Sequence, residues 1–131
     1  QSVVSMNQEG KSEPTLDVTK LSFEERKKLS ERYMSETKGL LPFIVQSDPK
    51  SSLKSCQTPK IMMITGSLKV VNLFQVFRKK TRLDDRKALY LFVNNKTLLK
   101  SDSMVTDCYY KYKRDDGFVY LTLTDISTWG Q

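Results

Sequence analysis

The sequence predicts a single α+β domain, built on a four-stranded mixed sheet with an N-terminal helical extension. Three observations indicate this class: helical and strand patterns alternate, the first two strand patterns form a hairpin, and a strong helical pattern separates that hairpin from the later strands. The 131 residues suffice for one core and not for two. We expect residues 1–20 to be a flexible arm, in which residues 14–20 are compatible with a short helix, and residues 21–131 to be a ubiquitin-like domain.

A helix is predicted over residues 23–37. Ser22 and Glu25 fit a capping box, in which each side chain accepts a hydrogen bond from the other residue's backbone amide. Leu29 and Tyr33 lie four residues apart on one helix face, while charged residues occupy most other positions. A narrow apolar stripe is therefore available to pack on a sheet.

Two strands follow, over residues 40–46 and 61–64, joined by a polar loop. Pro42 lies near the start of the first strand, where a missing amide costs least. A second helix is predicted over residues 68–80, because apolar residues there recur at the i, i+3, i+4, i+7 spacing of a core-facing helix. These residues are Val70, Leu73, Phe74 and Phe77.

Residues 88–93 are uniformly apolar and predict a strand that is shielded from water. A short helix is expected around Cys108, and the Asp-Asp-Gly turn at residues 115–117 leads into a last strand over residues 118–124. A hairpin, a crossover helix and a central strand parallel to the first make up the β-grasp plan of ubiquitin.

The composition argues against several kinds of chemistry. The chain has no histidine, the commonest metal ligand and a frequent general base. It also lacks a CxxC motif, a glycine-rich phosphate loop and any run of about 18 apolar residues. We therefore expect no catalytic residue, metal, cofactor or membrane span. Cys56, in the polar loop, and Cys108, in the core, are expected to be reduced and inert.

The charge leaves more than one partner open. Residues 1–20 carry a net charge of −1 and the remaining residues +8, which gives the chain +7. Such a surface suits nucleic acid, anionic lipid or acidic peptides, or simply keeps the protein soluble. A nucleic-acid-binding domain ranks low, since no obvious exposed aromatic platform lies among its candidate basic residues. Those residues are Arg78, Lys79, Lys80, Arg82, Lys111, Lys113 and Arg114.

Six segments occur together in one known family. They are Phe23-Glu24-Glu25-Arg26, Leu41-Pro42-Phe43-Ile44-Val45, Phe77-Arg78-Lys79-Lys80, Phe92-Val93-Asn94-Asn95-Lys96, Tyr112-Lys113-Arg114-Asp115-Asp116-Gly117-Phe118-Val119-Tyr120 and the terminal aromatic-Gly pair. In these segments the chain from residue 23 to residue 130 resembles the autophagy ubiquitin-like modifiers. This is the family of the GABA-receptor-associated protein and the microtubule-associated protein light chain.

The resemblance implies a modifier rather than an enzyme. In this family a cysteine protease trims the residues after a glycine, activating and conjugating enzymes carry the glycine carboxylate as a thioester, and phosphatidylethanolamine receives it. Gly130 would be the conjugated residue and Gln131 the remnant of a removable tail. Because Gly130 has no Cβ, its carboxylate fits a narrow enzyme channel. The resemblance further implies a cytoplasmic protein with a lipidated pool on autophagosomal membranes.

A second implied activity is the binding of aromatic-x-x-aliphatic peptides from cargo receptors and adaptors. Such a peptide would add as a strand beside the second strand, with two side chains in pockets. By position, the aromatic pocket would comprise Tyr33, Pro42, Met63 and Phe118, with Leu29 and Ile61 at its rim. The aliphatic pocket would comprise Met62, Ile64, Leu73, Val76 and Phe77. Each of these residues also fits an ordinary core.

The chain departs from the family at several of these positions. Members usually have an acidic residue at the position of Leu29, lysine at that of Ile61, and a Phe/Tyr-Leu-Val-Pro run at residues 62–65. Without that lysine, no ammonium pairs with the acidic residues common in ligand motifs, while methionines make adaptable pocket walls. Trp129 replaces the usual phenylalanine, as in a related modifier that is conjugated to a protein lysine. The acceptor thus stays open between lipid and protein, and an unconjugated adaptor is a further alternative.

Overall fold

The computed structural model describes residues 3–6, 18–84 and 86–126. Within these ranges, one mixed sheet is flanked by α-helices and by a 3₁₀ turn at Val18–Lys20. The helices are α1 (Phe23–Glu36), α2 (Val70–Thr81) and α3 (Val105–Tyr112). The strands are β1 (Val3–Met6), β2 (Leu40–Ser47), β3 (Lys60–Thr65), β4 (Tyr90–Val93), β5 (Thr97–Leu98) and β6 (Val119–Thr124).

The sheet confirms the predicted α+β class and its β-grasp connectivity. Its strand order is β1-β3-β2-β6-β4-β5. β2 and β3 form the antiparallel hairpin, and β6 lies parallel to β2 in the middle of the sheet. The other strand pairs are antiparallel. The predicted number of four strands is too low, because β1 and β5 extend the sheet at its two edges.

The largest difference from the sequence prediction is β1. Residues 3–6 form a strand where we expected part of a flexible arm, and they pair with β3 from Ile64 to Ile61. Four residues are too short to show a reliable periodicity, and an isolated short strand is unstable until a partner edge is present. The outer backbone edge of β3, which would be unpaired without β1, supplies that partner edge. Residues 14–17, part of the predicted short helix, lie outside the described residues.

The capping box at the start of α1 is present as predicted. The Ser22 amide donates to Glu25 Oε1 at 2.9 Å, and the Glu25 amide donates to Ser22 Oγ at 3.1 Å. The hydrogen bond from the Ser22 amide is the main reason why the pKa of Glu25 lies below its ordinary value. The helix therefore begins where two otherwise unpaired backbone amides are satisfied.

The buried carboxylate of Asp116 ties α1 to the turn before β6. It accepts hydrogen bonds from Arg26 Nε at 2.9 Å, from the Phe118 amide at 3.0 Å and from the Tyr120 hydroxyl. The backbone carbonyl of Asp116 accepts a further bond from Ser30 Oγ at 2.6 Å. Because these donors come from both elements, they fix the position of α1 over the sheet.

Apolar side chains pack on both faces of the sheet. The α1-side cluster consists of Val18, Tyr33, Ile44, Ile61, Met63 and Phe118, with Val4, Leu21, Leu29, Leu40 and Tyr120 partly buried against it. The larger α2-side cluster fills the opposite face, under α2 and α3. Its members include Val3, Phe43, Met62, Ile64, Leu73, Phe77, Leu91, Tyr109, Leu121 and Leu123.

Both cysteines are buried. Burial raises the pKa of the Cys108 thiol to about 11 and also raises that of Cys56. Cys56 is buried although its neighbours in the sequence are polar. The β2–β3 loop folds inward, so that Cys56 and Leu53 join the α2-side cluster. Raised pKa values leave little thiolate at neutral pH.

We predict that Gly117→Ala destabilises the fold by about 3 kcal/mol. Gly117 has φ +88°, and a Cβ there would lie 2.3 Å from Ser30 Oγ, which is held by its bond to Asp116. Gly39→Ala is the matched control, since Gly39 has φ +76° with nothing within 4 Å of a new Cβ. Urea unfolding should show a smaller loss for it, about 1–2 kcal/mol. Equal losses would contradict the contact with Ser30.

We also predict a loss of stability between about pH 10 and pH 12. Burial, reinforced by the hydrogen bond to Asp116, raises the pKa of Tyr120 to about 12 from its ordinary value near 10. In that window the unfolded chain releases the proton and the folded chain keeps it, so the free energy of unfolding falls as pH rises. Tyr120→Phe should reduce the slope in alkaline urea titrations, while the similarly raised Tyr109 preserves part of it. An unchanged slope would contradict this assignment.

Candidate functional site

The predicted site residues converge on β3. Alternate side chains of a strand point to opposite faces, and β3 follows this rule from Ile61 to Ile64. Ile61 and Met63 lie in the α1-side cluster, whereas Met62 and Ile64 lie in the α2-side cluster. One short strand thus connects the two apolar faces of the sheet.

The residues predicted for the aromatic pocket gather in the α1-side cluster. Tyr33 and Phe118 are buried there beside Met63 and Ile61, and Leu29 is partly buried against them. Pro42 is also buried and lies directly opposite Met63 in the β2–β3 register. The structure therefore brings all six of these residues to one region.

The residues predicted for the aliphatic pocket gather on the other face. Met62, Ile64, Leu73 and Phe77 are members of the α2-side cluster, and Val76 is partly buried at its margin. The exposed fractions of the Met62 and Leu73 side chains are 2% and 1%, and that of Phe77 is 0%. With β1 in place these residues have the burial of a core.

The outer edge of β3 is covered by β1. Val3 pairs with Ile64, Val4 with Met63, Ser5 with Met62 and Met6 with Ile61. Val3 is buried in the α2-side cluster, and Val4 packs against the α1-side cluster. These valines were not among the predicted site residues. Two consecutive β-branched residues were the available signal, since such residues favour strands.

A groove of about 580 Å³ opens near the start of β2, away from the predicted docking residues. None of the residues predicted for the two pockets lines it. Its walls include Met34, Leu41, Thr65, Met104 and Tyr110.

The basic residues considered for nucleic acid lie near the ends of two different helices. Arg78–Lys80 close α2, while Lys113 and Arg114 follow α3. Arg114 stacks 4.0 Å from the Tyr120 ring centroid and donates to Asn94 Oδ1 at 2.9 Å. Lys113 Nζ lies 5.4 Å from the ring centroid of Tyr110, an exposed tyrosine. Lys111 Nζ likewise lies 5.4 Å from the Tyr112 ring centroid, so three of these cations contact the protein's own aromatic rings.

The described residues contain no group of three or more Cys, Asp or Glu side chains that could hold a metal ion. Among the same residues, no helix is both long and apolar enough to cross a membrane. The predicted conjugation residue, Gly130, lies outside the described residues, as do Trp129 and Gln131. The described chain ends at Ile126, just beyond β6, where Asp125 accepts hydrogen bonds from Ser52.

Known proteins match most of the chain. A family model described as "Autophagy protein Atg8 ubiquitin like" matches residues 25–130. Autophagy-related protein 8 of Saccharomyces cerevisiae is 32% identical over 109 residues, which cover 83% of this chain and 92% of that protein. The protein of the same name from Dictyostelium discoideum is 28% identical over 107 residues, which cover 82% and 87%.

Solved structures agree with these matches. Trypanosoma brucei ATG8 superimposes with a TM-score of 0.72 at 25% identity, over 86% of this chain and 95% of that one. Plasmodium falciparum Atg8, solved in complex with a Plasmodium falciparum Atg3 peptide, also gives a TM-score of 0.72. At 22% identity, over 88% and 98% of the two chains, that likeness concerns the fold alone. The chain belongs to the Atg8 family of ubiquitin-like autophagy proteins, as its sequence motifs predicted.

Proposed function

We propose that this Atg8-family modifier is joined through Gly130 to phosphatidylethanolamine and binds aromatic-x-x-aliphatic peptides along β3. The observation that carries the docking proposal is the alternation of β3 between two apolar clusters. Ile61 and Met63 belong to one cluster, and Met62 and Ile64 to the other. A peptide strand on this edge would place successive anchors on opposite faces through backbone pairing alone.

The two clusters differ in the side chains that they would present to a peptide. Tyr33 and Phe118 give the α1-side cluster broad aromatic walls, which suit an aromatic anchor by edge or offset contact. Met62, Ile64 and Leu73 give the α2-side cluster aliphatic walls. The thioethers of Met62 and Met63 adapt to anchors of different size. This division supports the assignment of the aromatic anchor to the α1 side.

The conjugation proposal rests on the chain's membership of the family. The matching region extends to residue 130, and the residue there is a glycine. In the last step the Gly130 carbonyl carbon leaves the conjugating enzyme's cysteine, which is released as a thiol, and forms an amide bond with the lipid amine. Plasmodium falciparum Atg8 was solved with an Atg3 peptide. That complex supports peptide partners for this chain, the conjugating enzyme among them.

Tagging and docking would use different parts of the domain. The chain leaves the sheet after β6, which lies two strands from β3 in the order β3-β2-β6. With strands about 4.8 Å apart, the two positions are separated by about 10 Å across the sheet. The strand that leads to Gly130 is therefore separate from the strand proposed to bind peptides.

The proposed location follows from these two activities. The chain would reside in the cytoplasm, with a lipidated pool on autophagosomal membranes that recruits cargo receptors. The net charge of +8 over residues 21–131 favours approach to an anionic lipid surface. A processing protease would remove whatever follows Gly130 before conjugation.

We predict that Gly130→Ala abolishes conjugation. The purified chain would be incubated with the family's protease, activating and conjugating enzymes, ATP and vesicles containing phosphatidylethanolamine, and analysed by intact mass. The unchanged chain should lose Gln131, form a thioester and gain the mass of the lipid. Gly130→Ala should lack the lipid adduct, because the added methyl group obstructs the enzyme channels.

Gly39→Ala is the matched control, since the same change is made in a turn with open space around it. A chain ending at Gly130 bypasses the protease. A yeast Atg8 protein in a parallel reaction shows whether the enzymes are active. If that protein is lipidated and the chain ending at Gly130 stays unmodified, the lipid-modifier proposal is wrong. An adduct on a protein lysine in its place would identify the alternative acceptor.

We predict that Ile61→Lys strengthens binding of a Trp-x-x-Leu peptide preceded by acidic residues by about twofold to fivefold. Ile61 is buried, so the lysine stem would have to run along the α1-side cluster and carry its ammonium to the surface beside the peptide. An ion pair formed there contributes up to about 1 kcal/mol. Calorimetry at low and high salt would measure this gain, which screening should largely remove. Ile61→Gln is the neutral control, and an equal gain with it would contradict the electrostatic cause.

A further inference from the structure

The outer edge of β3 is the place where the proposed peptide would bind, and it already has an occupant. β1 pairs antiparallel with β3 over the four residues from Ile61 to Ile64. On its other side, β3 pairs with β2 along its whole length. Both backbone edges of β3 are therefore taken over these residues, and a peptide cannot add as a strand while β1 is present.

The side chains of β1 contact the same two clusters as the proposed anchors. Val3 is buried in the α2-side cluster, opposite Ile64, and Val4 packs against the α1-side cluster, opposite Met63. The two valines reach opposite faces because they are neighbours in a strand. Val3 and Val4 are also smaller than an aromatic side chain, so they fill the docking region less completely than a two-anchor peptide would.

The connection between β1 and the domain favours pairing within one chain. Eleven residues, 7–17, separate Met6 from Val18. An extended connection of that length spans up to about 40 Å, which is ample for a strand that lies on the same domain. A segment tethered in this way competes at an effective concentration of roughly 1 mM. A partner peptide has to outcompete the tethered segment for the same edge.

We propose that residues 3–6 are a built-in ligand of the β3 edge, which a partner peptide must displace. This inference rests on the proposed peptide-docking function. The apparent affinity for a peptide falls by the fraction of time that the edge is free. If β1 occupies the edge for about nine-tenths of the time, its removal strengthens peptide binding about tenfold. The N-terminal strand would then set a threshold that excludes weak peptides.

The test compares the full chain with a chain lacking residues 1–10 and with the full-length double variant Val3→Asp, Val4→Asp. The probe is a synthetic peptide with a Trp-x-x-Leu core, titrated by calorimetry, and an Ala-x-x-Ala peptide checks anchor dependence. Both altered chains should bind the probe about tenfold more tightly than the full chain. Ser12→Asp, an added charge outside β1, should leave the affinity unchanged.

A disulfide lock provides a second test that does not depend on how well the shortened chain folds. Met6 and Ile61 lie directly opposite each other, so Met6→Cys, Ile61→Cys places two thiols across the pair. The oxidised form should bind the probe at least tenfold more weakly than the same protein after reduction. Equal binding by both forms would overturn the proposal.

The remaining outcomes separate this proposal from the one on which it rests. If the full, shortened and Val3/Val4-substituted chains bind the probe equally, β1 is no competitor, although peptide docking stands. If none of them binds, the proposal of peptide docking on β3 is wrong, and the proposal of a built-in ligand is overturned as well. If sedimentation shows a dimer of the full chain that separates when residues 1–10 are removed, β1 pairs between two copies, and the proposal of an intramolecular ligand is overturned.

Discussion

The alternation of β3 between two apolar faces is the constraint on which the rest of the structure depends. A central strand of a sheet that is covered on one side needs apolar residues at every second position, but β3 is apolar at four consecutive positions from Ile61 to Ile64. Such a strand requires cover on both faces, and the helices supply it: α1 on one side, α2 and α3 on the other. The division of the core into two clusters follows from this requirement.

Without β1, β3 would be the edge strand of the sheet, and its apolar residues explain why it needs a partner on that side. A flat apolar edge with unpaired amides promotes pairing with other chains. In this protein β1 covers that edge, while the proposed function needs the edge for peptides. The two demands are compatible when the cover is short. β1 has four residues, of which Val3 packs in the α2-side cluster and Val4 against the α1-side cluster.

Much of the fold was predictable from local sequence. The capping box fixed the start of α1, the i, i+3, i+4, i+7 spacing identified α2, and the Asp-Asp-Gly turn located the start of β6. These signals act within one turn or one element, so they can be recognised without knowledge of the tertiary structure. The six residues proposed for the aromatic pocket were brought together as expected, and so were the five proposed for the aliphatic pocket. Their role in peptide binding stays a prediction.

The features that were not predicted depend on contacts distant in sequence. β1 and β5 contain four and two residues, and each becomes a strand only against an edge formed elsewhere in the chain. The burial of Cys56 was not predicted either, because its polar neighbours in the sequence say nothing of the inward path that the loop takes. The closure of the β3 edge belongs to the same class, since it links residues about sixty positions apart.

Hydrogen exchange with and without bound peptide tests directly whether a partner peptide displaces β1 from the edge of β3. Backbone amides exchange slowly while they are paired, so each strand reports its own partner. We expect a saturating Trp-x-x-Leu peptide to remove protection from the amides of residues 3–6. The amides of residues 61–64 should stay protected, because the peptide strand replaces β1 on the same edge of β3. Continued protection of residues 3–6 in the peptide complex would contradict it.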